Sequence, residues 1–284
     1  MEVIEFVKKW CIVSIIMFLS CLLSLYLTRK FTKYLDKLPI FLYGIHPASA
    51  HVILSELYKQ KKITLLNIVA IIICGNIILK LKEFVAYTIP IGLYVLEDLW
   101  FYLLIIAIIY LIYLSIFASF FIWKFKIKNV KLTKKEVEKT FNVKKIINLF
   151  LRVWLVYTIV YYCLSFLIMS NYLESLVNYF QFLSTLFHLS PYTFILLSSY
   201  MFSPVATWHS IIYLWKENML ILTDVITVFV VGRYLHFIFH VLRDGLPVLI
   251  SLYGFKTSLK IVSLNILILT SIYVLTYLTS ITLF

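Results

Sequence analysis

Residues 203–218, SPVATWHSIIYLWKEN, and 230–254, VVGRYLHFIFHVLRDGLPVLISLYG, belong to one stretch, Ser203 to Gly254, whose reading decides the fold. It holds two prolines, three glycines, three histidines, two arginines and three acids between flanks that read as lipid-soluble helix. Proline lacks an amide donor and disfavours helix at the residue before it, so Ser203-Pro204 breaks or tips a helix. At membrane depth such open backbone has to face protein or a water-filled cavity, because hydrocarbon cannot satisfy it.

The membrane setting follows from composition. Of 284 residues, 63% are hydrophobic and 14% charged, with a mean hydropathy of +0.98, whereas soluble domains carry about 25% charged residues. Apolar runs of about 20 residues cross a bilayer as helix. The clearest are Trp10 to Leu27, Leu99 to Trp123, Ile146 to Met169 and Ile261 to Phe284, and two more, Ile63 to Leu79 and Met219 to Val231, are interrupted or flanked by polar groups. The fold class expected is an all-α polytopic membrane protein. MEVIEFVKK leads into the first run without an A-x-A-like cleavage site, so that segment is expected to stay as a helix. Cys11, Cys21, Cys74 and Cys163 lie in apolar segments without metal-ligand spacing and read as core thiols.

Working outward, the central stretch has a weaker copy. A shift of 157 residues lays Pro47 on Pro204, Leu57 on Leu214, Lys59 on Lys216, Asn67 on Asp224, Gly75 on Gly232 and Pro90 on Pro247 without a gap. With six prolines and six glycines in the chain, a shared Pro, Gly, Pro frame points to an internal repeat. Upstream, Val7 to Trp10 resembles Leu151 to Trp154 and the segment at Tyr34 resembles that at Tyr172, at the smaller offsets 144 and 138, so the second copy has the longer spacing before its proline. This divides the chain into a first membrane repeat, 1–124, a basic linker, 125–145, and a second membrane repeat, 146–284.

Charge orients the copies. Between Lys124 and Lys145 nine lysines stand against Glu136 and Glu138, a net +7, and Arg29, Lys30, Lys33 and Lys37 mark another basic loop. Loops rich in Lys and Arg stay in the cytoplasm, which puts the linker there; Ser170 to Ser203, with neither residue, suits the outside. Crossings are then expected at 10–28, 63–80 and 100–123 in the first half and at 147–169, 219–242 and 260–283 in the second. Three per half makes the repeats inverted, each with a re-entrant or broken hairpin, the pattern of many secondary transporters.

The frame S-P-V-A, Y-L-W-K-E-N, G-R and R-D-G-L-P-V-L-I-S-L-Y-G-F-K-T-S-L-K resembles prokaryotic integral membrane proteins with the nucleoside-recognition, or Gate, domain. That domain name is shared with the membrane part of the ferrous-iron transporter and with concentrative nucleoside transporters. The resemblance covers roughly 200–265 and, more weakly, 44–95. It implies paired re-entrant hairpins meeting near the middle of the bilayer and a nucleoside-like solute. A GTPase P-loop is missing from the sequence, and the cysteines form no cluster suited to an iron path.

The residues themselves nominate a site. Ser49 after Pro47 and Thr207 after Pro204 lie where small side chains permit close approach and a new helix starts, whose amides suit an anionic or electron-rich ligand; an ordinary proline kink explains the same pattern. Arg233, His236, His240 and Arg243 are spaced 3, 4 and 3, one basic stripe on a helix, suited to a phosphate, carboxylate or headgroup. The competing reading has the arginines snorkelling to an interface and the histidines satisfied by backbone, and Arg243-Asp244-Gly245-Leu246-Pro247 reads as a helix end. Asn67 and Asp224 either bind a proton, cation or hydroxyl, or cap their helices or pair with Arg233. His51 and His209 are candidate ligands or interhelical bond partners. Gly75, Pro90, Gly232 and Pro247 read as scaffold.

No enzyme constellation emerges. Ser203, His209 and Asp224 lack the G-x-S-x-G turn, and His236 and His240 lack the glutamate of H-E-x-x-H, so neither a metal nor another cofactor is expected. The +13 charge is accounted for by the linker, loop lysines and attraction to anionic lipid rather than by nucleic acid. The expected function is movement of a small polar or anionic solute across the cell membrane through a midplane site between the hairpins. A lipid-directed flippase or transferase and a non-transporting subunit are the alternatives. The expected partners are the bilayer and the solute, with room for a homo-oligomer.

Overall fold

The computed structural model describes residues 8, 10–15, 18–19, 43, 47–125 and 172–284, with positions 151, 154–155, 158–159, 162–163 and 166. Every regular element among them is helical. Among the described residues four helices are long and apolar enough to cross a membrane: Leu65–Glu83, Glu97–Lys124, Leu222–Arg243 and Phe255–Leu283. They coincide with four of the expected crossings, and the chain is a multi-pass membrane protein. Phe101, Ile112, Ile116, Leu267 and Leu278 are each more than half exposed, as a lipid-facing surface requires. The expected crossings at 10–28 and 147–169 are described only in part, and helical where described. The linker beyond residue 125, the basic loop at 29–37, His46 and the side chain of Ser49 lie outside the described residues.

In chain order the elements are α1 (Pro47–Lys59), α2 (Leu65–Glu83), a π-helical turn (Phe84–Thr88), α3 (Ile89–Val95), a 3-10 turn (Glu97–Leu99) and α4 (Trp100–Phe125). There follow α5 (Tyr172–Phe187), α6 (Pro191–Phe202), α7 (Pro204–Lys216), α8 (Leu222–Thr227), a π turn (Val228–Gly232) and α9 (Arg233–His240). A π turn (Val241–Gly245), α10 (Leu246–Tyr253) and α11 (Phe255–Leu283) complete the chain. Element starts recur at the 157-residue interval: α1 and α7 at 47 and 204, α2 and α8 at 65 and 222, π turns at 84 and 241, α3 and α10 at 89 and 246. Tyr43 and Tyr200, both buried, form a further pair at that interval.

The prolines account for the paired π turns. Pro90 and Pro247 sit at the second position of α3 and α10; each lacks an N–H for the residue four back and crowds its carbonyl, so the chain widens by a residue just before it. The helix end expected at Arg243 to Pro247 is thereby corrected. The helix runs on through the π turn to Tyr253 and stops at Gly254, whose φ of 78° lies where glycine is favoured.

Ser203-Pro204 does break the helix. Ser203 is extended (φ −149°, ψ 97°), and its Oγ accepts from the Ala206 amide at 3.4 Å to start α7. The last turns of α5, Phe180–Phe187, meet α6 at a bend of 106°.

Contacts between the halves come in reciprocal sets. α7 packs on α3, and α1 packs on α10. α4 and α11 run antiparallel: Tyr102 near the start of one lies 5.0 Å in ring separation from Phe284 at the end of the other, and Tyr113 Oη is 2.7 Å from Thr279 Oγ1. Trp10 Nε1 donates to Thr158 Oγ1 at 3.3 Å while Trp154 Nε1 donates to Ser14 Oγ at 3.0 Å, with the indoles 5.9 Å apart. Both pairs, Trp10 with Trp154 and Ser14 with Thr158, stand 144 residues apart.

Candidate functional site

The site is built around a close approach at Gly232. A Cβ there would stand 2.8 Å from Tyr200 Cγ, so only glycine lets the Tyr200 ring of α6 lie against this turn. Tyr200 is thereby brought beside the next residue, Arg233. The guanidinium has as its electrostatic neighbours Tyr200 of α6, Tyr273 of α11, Glu83 of α2 and Tyr110 of α4. Both halves contribute. The Tyr273 ring lies tilted between Tyr110, at 4.8 Å, and Tyr234, at 5.2 Å, and Tyr234 Oη is 2.6 Å from Thr270 Oγ1. Glu83 Oε2 accepts from Lys80 Nζ at 2.6 Å.

These groups share one level of the helix bundle. Arg233 lies 11 residues after Leu222, Tyr110 lies 13 after Glu97, and Tyr273 lies 11 before Phe284. At 1.5 Å per residue each is roughly 16–20 Å from the end of its own helix.

Two buried donors near Arg233 are left open. Tyr273 Oη and Trp208 Nε1 have no hydrogen-bond partner of acceptable geometry, although Tyr110 lies beside the first and Tyr200 beside the second. Burying a polar atom unbonded is costly, and most buried polar atoms avoid it.

The basic stripe divides. His236 turns inward with Arg233: its Nδ1 is 2.8 Å from the Met201 carbonyl, and Lys80 and Glu83 lie within its electrostatic range. The π turn after His240 carries Arg243 off this line to lie over the Phe239 ring, 5.2 Å from its centroid, and His240 is exposed.

Asp224 caps helix starts, and Asn67 is held in the cap that Thr64 makes. Asp224 Oδ1 accepts from Ser190 N and Thr193 Oγ1, both at 2.7 Å, and Oδ2 accepts from Ile221 N at 2.9 Å. Thr64 Oγ1 caps the amide of Asn67 at 3.3 Å and donates to its Oδ1. Both residues sit third in their helices, so the repeated position starts a helix.

The remaining candidates surround the two prolines. Thr207 Oγ1 bonds the Ser203 carbonyl at 3.0 Å and Ser199 Oγ at 2.8 Å, bracing the break before Pro204, and His209 Nδ1 is 3.0 Å from the Val205 carbonyl. In α1, which Pro47 begins, His51 is tied to α10: Tyr253 Oη donates to its carbonyl at 3.1 Å and lies 3.5 Å from its Nδ1. Burial lowers the His51 imidazole pKa to about 4. Gly75 is buried in α2.

Of the residues nominated from sequence, the structure joins Arg233, His236 and Gly232, and it adds Lys80, Glu83, Tyr110, Tyr200, Trp208 and Tyr273. At the 157-residue interval Glu83 is the first copy's counterpart of His240. The tyrosines carry no such mark, since nothing local separates three of 21 from those of an interfacial belt. Among the described residues no group of three His, Cys, Asp or Glu side chains is placed to hold a metal. Comparison with protein-family models, characterised proteins and solved structures finds no match.

Proposed function

We propose that the chain is an inverted-repeat transporter that moves a small polar or anionic solute across the cell membrane, with Arg233 as its principal recognition group. The observation that carries this reading is an arginine half-way along the membrane-crossing span Leu222–Arg243, with tyrosines and a glutamate from both halves of the chain as its electrostatic neighbours. An ionisable group at that depth is costly unless it serves a pathway or a pair. Glu83 is already bonded by Lys80, so the site keeps an excess of positive charge.

The antiparallel α4 and α11, the reciprocal α1–α10 and α7–α3 packing and the exchanged tryptophan bonds support a two-fold axis across the helices, the arrangement of inverted repeats. They fit the paired-hairpin architecture implied by the resemblance to Gate-domain proteins, with a nucleoside-like solute as its suggestion. The solute site lies at Arg233, beside the second hairpin, with the basic linker on the cytoplasmic side.

The test is flux. Proteoliposomes containing the purified protein are offered radiolabelled uridine, uridine monophosphate and inorganic phosphate. Uptake of at least one is expected, falling tenfold or more in Arg233→Ala. Absence of flux for all three together with a stoichiometric co-purifying protein would make the chain a subunit, and headgroup movement in lipid-only vesicles would make it lipid-directed.

A further inference from the structure

The unbonded donors define what the site accepts. Arg233 offers five N–H groups and accepts nothing; Trp208 Nε1 only donates; Lys80 only donates. Tyr273 Oη is open to bonding, and the one carboxylate at hand, Glu83, is taken up by Lys80. A ligand rich in donors finds few acceptors here, whereas one rich in acceptors finds donors in excess. Taking its setting from the transport reading, we propose that this site binds an oxyanion, the phosphate or carboxylate group of its ligand, with Tyr273 Oη and Trp208 Nε1 completing the coordination that Arg233 begins. Trp208 reaches this set through Tyr200, against which it lies, and both Tyr273 and Trp208 are more than nine-tenths buried. An arginine presents a planar fork that matches either oxyanion. A free solute and a lipid headgroup share that chemistry, and the experiment separates them.

Full-length protein in detergent is titrated with radiolabelled inorganic phosphate, acetate and uridine, and in parallel placed in phosphatidylcholine nanodiscs with and without phosphatidic acid. Saturable binding of phosphate or acetate is expected, or stabilisation by phosphatidic acid if the source is a headgroup. Either response weakens tenfold or more in Arg233→Gln and threefold or more in Tyr273→Phe. Tyr273→Phe removes one hydroxyl whose neighbour, Tyr110, is not in good hydrogen-bond geometry, so its thermal midpoint without anion stays level, which separates lost recognition from lost folding. Trp208→Phe is the second arm. The proposal is overturned if none of the anions is bound, if uridine alone binds, or if anion binding is unchanged in Arg233→Gln and Tyr273→Phe. Anion binding without flux in proteoliposomes would sink the transport reading and leave the oxyanion site standing.

Discussion

At Asp224 three donors meet one carboxylate: the Ser190 amide, the Thr193 hydroxyl and the Ile221 amide. Two of them belong to the start of α6 and one to the start of α8, so the side chain ties the entries of two helices together. Charge-assisted hydrogen bonds of this kind are worth more than neutral ones, and buried donors left unpaired cost further. Asp224→Ala is therefore expected to lose about 3 kcal/mol or more of stability, and Asp224→Asn, which keeps the oxygen that accepts two bonds, about 1 kcal/mol. Thermal unfolding in detergent measures both; flux per folded molecule should be unchanged in Asp224→Asn. The sequence marked Asp224 and Arg233 alike as acids and bases in apolar surroundings. Residue type and spacing could not tell a cap from a ligand, because the deciding partners, Ser190 and Thr193, are more than thirty positions away along the chain.

Among the elements, the most legible were those with punctuation. Proline at 47, 90, 204 and 247 fixed two helix starts and two π turns, and the apolar runs that the structure describes in full became helices. The helix end expected near Pro247 failed for a physical reason: a wider turn absorbs the missing amide without ending the helix, and α10 gains packing on α1 by continuing. Partner choice was the least legible, since Leu- and Ile-rich faces pack on one another with little discrimination. The antiparallel crossing of α4 and α11 is directly testable. With the native cysteines replaced, Tyr102→Cys and Phe284→Cys should be joined by a short bifunctional thiol reagent. Tyr102→Cys with Lys256→Cys, the neighbour in a parallel arrangement, should not; the reverse result would sink the crossing.

For the molecule as a whole, the ion pair between Lys216 and Glu97, at 2.6 Å, sets the α7–α8 turn and the α3–α4 turn at one end of the bundle. The α1–α2 turn, with Lys59, Lys61 and Lys62, then falls at the other end, the end at which α4 finishes with Lys124. Basic clustering at that end agrees with a cytoplasmic face. Cysteines placed singly at Lys62 and Met219, both exposed, are expected to react from opposite sides with a membrane-impermeant maleimide, Met219→Cys in intact cells and Lys62→Cys only after permeabilisation. Labelling of both from one side would rule out the inverted arrangement. Under that arrangement the two indole bonds, Trp10 to Thr158 and Trp154 to Ser14, are one bond written twice. A half-length ancestor inserting in both directions would have closed as a homodimer on this same contact, each copy lending its tryptophan to the other's hydroxyl. Fusion of two such copies would leave one free to carry Arg233 where the other has Asn76, a difference that a homodimer, forced to present both copies alike, could not hold.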